Sequence, residues 1–183
     1  LLPALGAAKQ GRIIQVGSEG HRFGRVNLSD LYFRRRLYTG LKGYGQSKTA
    51  QILCVTILSD LLKNTNITIN TCHPGEVKTA IGSNNGWLYR FFSKHITARF
   101  LKDPQISGQA LYYLAADPSM AHVSGKFFHL TIEEVPAKHA SNFEFAQQVF
   151  AKSLEILALS PDTIVSLFSS FNQHSTMKKG AKS

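Results

Sequence analysis

Tyr44 and Lys48 are the pair of residues in this 183-residue chain whose types and spacing carry the clearest chemistry. They lie in the run Gly43-Tyr44-Gly45-Gln46-Ser47-Lys48, and the apolar pattern that follows, with Leu53, Cys54, Ile57, Leu58, Leu61 and Leu62 at three-four spacing, predicts a helix. On a helix, side chains four residues apart share a face, with Cβ atoms about 5 to 6 Å apart. A phenol has a pKa of about 10, and a neighbouring ammonium stabilises the phenolate and lowers that value. Such a pair can give or take a proton near neutral pH. The same spacing also occurs on ordinary helix surfaces, so the surrounding elements have to decide.

Two further candidates lie at predicted strand ends. Arg12-Ile13-Ile14-Gln15-Val16 is short, rich in β-branched residues and bounded by Gly11 and Gly17, as a buried strand would be. Ser18 follows it, at the carboxyl end, where open α/β sheets bind ligands. A turn or cap serine is the alternative reading. Ile67 to Cys72 alternates and predicts a second strand, followed by His73-Pro74-Gly75-Glu76-Val77-Lys78-Thr79. Pro74 stops the ladder there, and Gly75 lets the backbone approach a ligand closely. His73 could act as a general base, although a single His at a strand end is more often structural.

Strand, crossover helix and strand make a parallel unit of right-handed connection. Residues 21–41 between Ser18 and the helix show no period and read as an irregular connection, longer than most loops in compact domains. Leu1 to Ala8 reads as the end of a preceding helix. Asp103-Pro104 supplies an N-cap and first-turn pair for a helix that stops at Asp117-Pro118, and Gly125 to Leu130 predicts a third strand. Ile132 to Ala140 reads as loop. Ser141-x-x-Glu144 has the form of a capping box opening a helix with Phe145, Val149, Phe150, Leu154 and Leu157 on one side. Residues 1–172 thus read as one domain, and residues 173–183 as a basic, disordered tail.

A hydrophobic fraction of 43% with 17% charged residues describes a globular chain. The net charge of +10 admits nucleic acid, a membrane surface or an anionic small molecule as partner. The basic residues are dispersed, apart from Arg34-Arg35-Arg36 and Lys178-Lys179, and no nucleic-acid motif accompanies them, which argues against nucleic acid. Cys54 and Cys72 have no metal-ligand spacing and read as buried free thiols, so no metal is expected. No apolar run reaches the roughly 18 residues that a spanning helix needs.

Ser18 at a strand end, Tyr44-x-x-x-Lys48 opening the next helix, and Pro74-Gly75-x-x-x-Thr79 after the following strand occur in the order of the second half of a short-chain dehydrogenase/reductase. Within that family the run 42–48, the His73-Pro74-Gly75 turn and Ser124-Gly125-Lys126-Phe127-Phe128 resemble the retinol-dehydrogenase-like and WW-domain-oxidoreductase-like branch. The resemblance runs from about Leu1 to Leu159. It implies an α/β fold, the C-terminal half of a Rossmann-like doubly wound parallel sheet with helices on both faces. It also implies that Tyr44 donates or removes the proton, that Lys48 assists it and holds the nicotinamide ribose, and that Ser18 positions the substrate oxygen. Pro74, Gly75, Val77 and Thr79 would line the nicotinamide. Residues 80–101, with Trp87, Tyr89, Phe91 and Phe92, would form a substrate loop for an apolar carbonyl or alcohol, with a membrane surface as another use for that segment.

The family's Gly-rich turn and its Asn-Asn-Ala-Gly segment do not occur in the sequence, so the expectation is a C-terminal portion lacking on the order of 100 residues. The cofactor implied is NADP, with NAD as the alternative, because the selecting residue is not among those present. A non-catalytic fragment acting as an interaction module is the competing reading. Homo-oligomer formation is compatible with either, and compartment is not indicated.

Overall fold

β1 (Gly11–Val16) and β2 (Ile67–His73) lie parallel in register, Gly11 opposite Ile67 through Val16 opposite Cys72, and the 23-residue helix α2 (Gly40–Leu62) crosses over between them. The computed structural model describes residues 2–75, 103–160, 162–164 and 166. A second crossover carries α3 (Pro104–Ala116) and returns to β3 (Phe127–His129), again parallel to β2. The sheet closes with a short antiparallel strand, β4 (Ile132–Glu134), and runs in the order β1-β2-β3-β4. A short helix, α1 (Leu2–Ala7), precedes β1, and α4 (Phe143–Ile156) follows β4.

Side chains alternate between the two faces of the strands, as the pleat requires. Ile13, Ile67 and Ile69 pack with Val55, Leu58 and Leu62 of α2 on one face, and Phe127 packs with Ile52 there. Ile14, Cys72 and Phe128 pack with Leu111 and Leu114 of α3 and with Met120 on the other face. Helices therefore cover both faces of a partial Rossmann-like sheet. The opposite side of α2 presents Leu53 and Ile57 to Ala146 and Val149 of α4, so the helix carrying Tyr44 and Lys48 is held between the sheet and the last helix. Each large aliphatic side chain buried this way contributes on the order of 1.5–3 kcal/mol.

Three details differ from the sequence reading. Ile132–Glu134, expected as loop, forms β4. Three residues in which only Ile132 is strongly apolar show too little alternation to mark a strand, and the hairpin is fixed by its partner β3. The N-cap of α4 is Asn142, whose side chain accepts from the Phe145 N–H at 2.7 Å, rather than Ser141. The Ser141 hydroxyl instead donates back to the Pro136 and Ala137 carbonyls at 3.3 and 3.2 Å. Leu157, assigned to the buried side of α4, is its C-cap and is exposed.

Candidate active site

Ser18, Tyr44 and Lys48 converge at the carboxyl end of β1. Ser18 caps a 3-10 turn over Glu19–Phe23, and its Oγ accepts from the Gly20 N–H at 3.0 Å, which leaves the hydroxyl proton free to donate elsewhere. A Cβ placed on Gly20 would fall 2.4 Å from Tyr44 Cε1 and 3.3 Å from Ser18 Oγ. The Tyr44 ring and the Ser18 hydroxyl therefore flank the same glycine, and only glycine leaves room for both. Lys48 Nζ stands 5.6 Å from the centre of the Tyr44 ring and donates to the Val16 carbonyl, the last of β1, at 3.1 Å. Tyr44 itself is 46% exposed, open to a ligand.

The long connection between β1 and α2 is ordered by buried polar groups that sequence periodicity does not reveal. A Cβ on Gly24 would lie 2.3 Å from the Gln46 nitrogen, and one on Gly45 would lie 2.6 Å from the Gly24 nitrogen, so loop backbone rests directly on the first turns of α2. Thr49, fully buried, donates to the carbonyls of Gly24 at 2.6 Å and His21 at 3.0 Å. Farther along, the buried Asp30 carboxylate accepts from the backbone N–H groups of Arg34, Arg35 and Arg36 and from the Arg36 guanidinium. Burial works against its charge, but these donors outweigh it and hold the carboxyl below its ordinary range. Arg36 and Asp30 belong to the same knot as Gln46, whose amide accepts from Arg36 at 2.9 Å and donates to the Leu31 carbonyl at 2.9 Å.

Pro74 and Gly75 follow β2 directly. Gly75 has φ +83°, a left-handed conformation that favours glycine, and the Pro74 carbonyl accepts from the Ser107 hydroxyl at the start of α3. Val77, Thr79 and the 80–101 segment lie outside the described residues, as does the tail from 173. His73 ends β2, buried, with its ring 4.8 Å from that of His129. Glu19, His129 and Glu134 bring oxygen and nitrogen ligand atoms within 4.8 Å of one another. Arg22 pairs with both carboxylates, reaching Glu134 at 3.6 Å, so the two acidic groups already share a cation of the chain itself. No described helix is long and apolar enough to cross a membrane.

No family model matches the chain. Retinol dehydrogenase 13 of Mus musculus is 32% identical over 163 residues, covering 87% of this chain and 49% of that protein. Its Homo sapiens counterpart is 32% identical over 168 residues, covering 90% and 51%. The chain belongs to the retinol-dehydrogenase-like short-chain dehydrogenases/reductases. It spans about half the length of the curated relatives of that family that it matches. The fold agrees with solved structures: an uncharacterized protein of Mycobacterium paratuberculosis superposes with a TM-score of 0.57 at 24% identity, over 81% of this chain and 51% of that one. A short chain dehydrogenase of Salmonella enterica gives 0.50 at 20% identity, over 72% and 46%.

Proposed function

We propose that this short-chain dehydrogenase/reductase chain contributes the proton-transfer half of an enzyme that interconverts a carbonyl and an alcohol on an apolar substrate, with Tyr44 as acid and base. The observation carrying this reading is that Ser18 and Tyr44 flank Gly20 while Lys48 stands over the Tyr44 ring. Tyr44 Oη gives its proton to the carbonyl oxygen in reduction and takes it from the alcohol in oxidation. Ser18 already accepts from Gly20, so it donates its own hydrogen to the same substrate oxygen and fixes its position. The Lys48 ammonium favours negative charge on the phenol oxygen as the proton leaves.

The donor set suits the nicotinamide end of a dinucleotide. A half-exposed phenol and an ammonium at a strand end fit ribose hydroxyls, and the left-handed turn at Gly75, where a Cβ would press on the Leu130 side chain, offers main chain to a flat ring. Lys48 and Tyr44 would hold the ribose, and Pro74, Gly75, Val77 and Thr79 the ring. When bound, the nicotinamide supplies or accepts the hydride. NADP(H) is favoured over NAD(H) by the resemblance and by the net charge of +10, which suits an additional phosphate. The relatives' names, retinol dehydrogenase and polyprenol dehydrogenase, support an apolar alcohol as substrate class.

The full gene product is expected to reduce retinal with NADPH, and Tyr44→Phe to lower kcat by about 100-fold or more. Full activity in that variant overturns the assignment. A non-catalytic interaction module is the competing reading. Calorimetric titration of the 183-residue chain alone with NADPH and NADH should show weak or no binding, and tight stoichiometric binding overturns that expectation and the module reading with it.

A further inference from the structure

Among the described residues His21, like Cys72, is a titratable group with no exposed surface, and the proton-transfer chemistry makes no use of it. Its imidazole spans two main-chain groups of opposite kind. Nδ1 lies 2.8 Å from the Ser18 carbonyl oxygen, which can only accept, and Nε2 lies 3.0 Å from the Ala137 nitrogen, whose N–H can only donate. One protonation state satisfies both: the neutral ring with its hydrogen on Nδ1. The His21 carbonyl completes the junction, accepting from Thr49 of α2 at 3.0 Å and from His139 Nε2 at 2.9 Å. The ring packs edge-on against Phe127 of β3, with centroids 4.9 Å apart. Ser18, the helix carrying Tyr44 and Lys48, and the 137–140 turn are thus joined through this single residue.

We propose that His21 is a positioning residue, a tautomer-specific clamp that fixes the Ser18 main chain and so aims the Ser18 hydroxyl at the oxygen Tyr44 protonates. The consequence for catalysis rests on the proton-transfer reading of Ser18 and Tyr44; the clamp itself does not. Adding a proton to Nε2 would set an N–H against the Ala137 N–H and break one of the two bonds. The charged and titratable groups facing the ring are Glu19 and Arg22 of its own turn and His139 from the 138–140 turn. β3 presents Phe127 and α2 presents Thr49, neither of which titrates in this range. Burial pushes the His21 pKa down, outweighing the Ser18 carbonyl and Glu19, which keeps the ring neutral where a free histidine would begin to charge.

Two measurements on the full gene product test the proposal separately from the reaction assignment. Nitrogen-15 imidazole spectra should show His21 as the neutral Nδ1–H form at pH 7, without titration near 6.5, the value of a free histidine. An Nε2–H form, or a normal titration, overturns the clamp whether or not the protein is active. In the second, His21→Phe keeps the ring packing and loses both bonds; it should lower kcat about tenfold to 100-fold with KM for the cofactor unchanged. His21→Asn, which keeps a donor toward Ser18, should recover part of that loss. In a Ser18→Ala background His21→Phe should cost little more, because the clamp acts through Ser18. Additive losses in this double-mutant cycle, or unchanged kcat in His21→Phe, overturn the positioning role. Absence of any nicotinamide-dependent activity in the unmodified protein defeats the reaction assignment instead, and the spectra still decide the clamp.

Discussion

Cys72 illustrates how the interior sets the reactivity of a single side chain. It is fully buried on the α3 face of β2, and burial pushes its thiol up to about 11. Cys54 is raised for the same reason, only partly offset by the Ser153 hydroxyl. A thiol titrates near 8.5 in an unfolded chain. Between that value and about 11 the unfolded state has already released a proton that the folded state keeps, so stability falls as pH rises through this window. Urea midpoints should therefore decline from pH 8.5 to 10, and Cys72→Ala should flatten the decline; a thiol reagent at pH 7 should leave Cys72 unmodified until the protein unfolds. The burial of Cys72 was legible from its apolar surroundings, whereas Cys54, expected to be buried as well, is only half-buried. The Tyr44 and Lys48 spacing was legible too, because a four-residue interval on a helix fixes their relation. The role of His21 was not, since its partners are main-chain groups 3 and 116 residues away, which leave no mark in side-chain pattern.

At the level of elements, the long strands and the helix between them were readable: β1 from a β-branched run bounded by glycines, β2 from its alternation, and α2 from its period of 3.6. The failures sit where a local hydrogen bond decides. Ser141 and Asn142 are both good cap residues, and sequence alone favoured Ser141 because Glu144 stands three residues on. The geometry makes the Asn142 side chain the acceptor for Phe145. Asn142→Ala should then cost about 1 kcal/mol in chemical denaturation, a typical loss for a cap. Ser141→Ala should cost less, and equal losses would return the cap to Ser141. β4 escaped notice because three residues are too few for a period, while its pairing with β3 is set by a turn in which Leu130 adopts φ +57°.

For the whole molecule, the order β1-β2-β3-β4 leaves β1 at one side of the sheet with no partner strand among the described residues. Ile13 and Ile14 are only half-buried there, whereas five of the last six residues of β2 are fully buried. Hydrogen exchange should report this asymmetry. The amides of β2, paired with β1 along most of its length and with β3 from Thr71 to His73, should exchange slowest, and those of β1 should alternate between protected and fast. Uniform protection along β1 would mean that another strand covers its outer edge in solution. The α/β class and the parallel core were predictable from the alternation of strand and helix, but the extent of each strand was not, because the ladder itself sets where pairing stops.

The bond from Lys48 to the Val16 carbonyl has a further meaning when considered as motion. A free lysine side chain carries about 2 kcal/mol of rotamer entropy that is lost when a ligand immobilises it. Here one end of the strand already restrains the amine, so much of that freedom has been given up during folding, before any encounter. A ribose hydroxyl arriving at this corner would exchange one acceptor for another around an ammonium that is already in place, and the entropic toll of recognition would fall on the ligand alone.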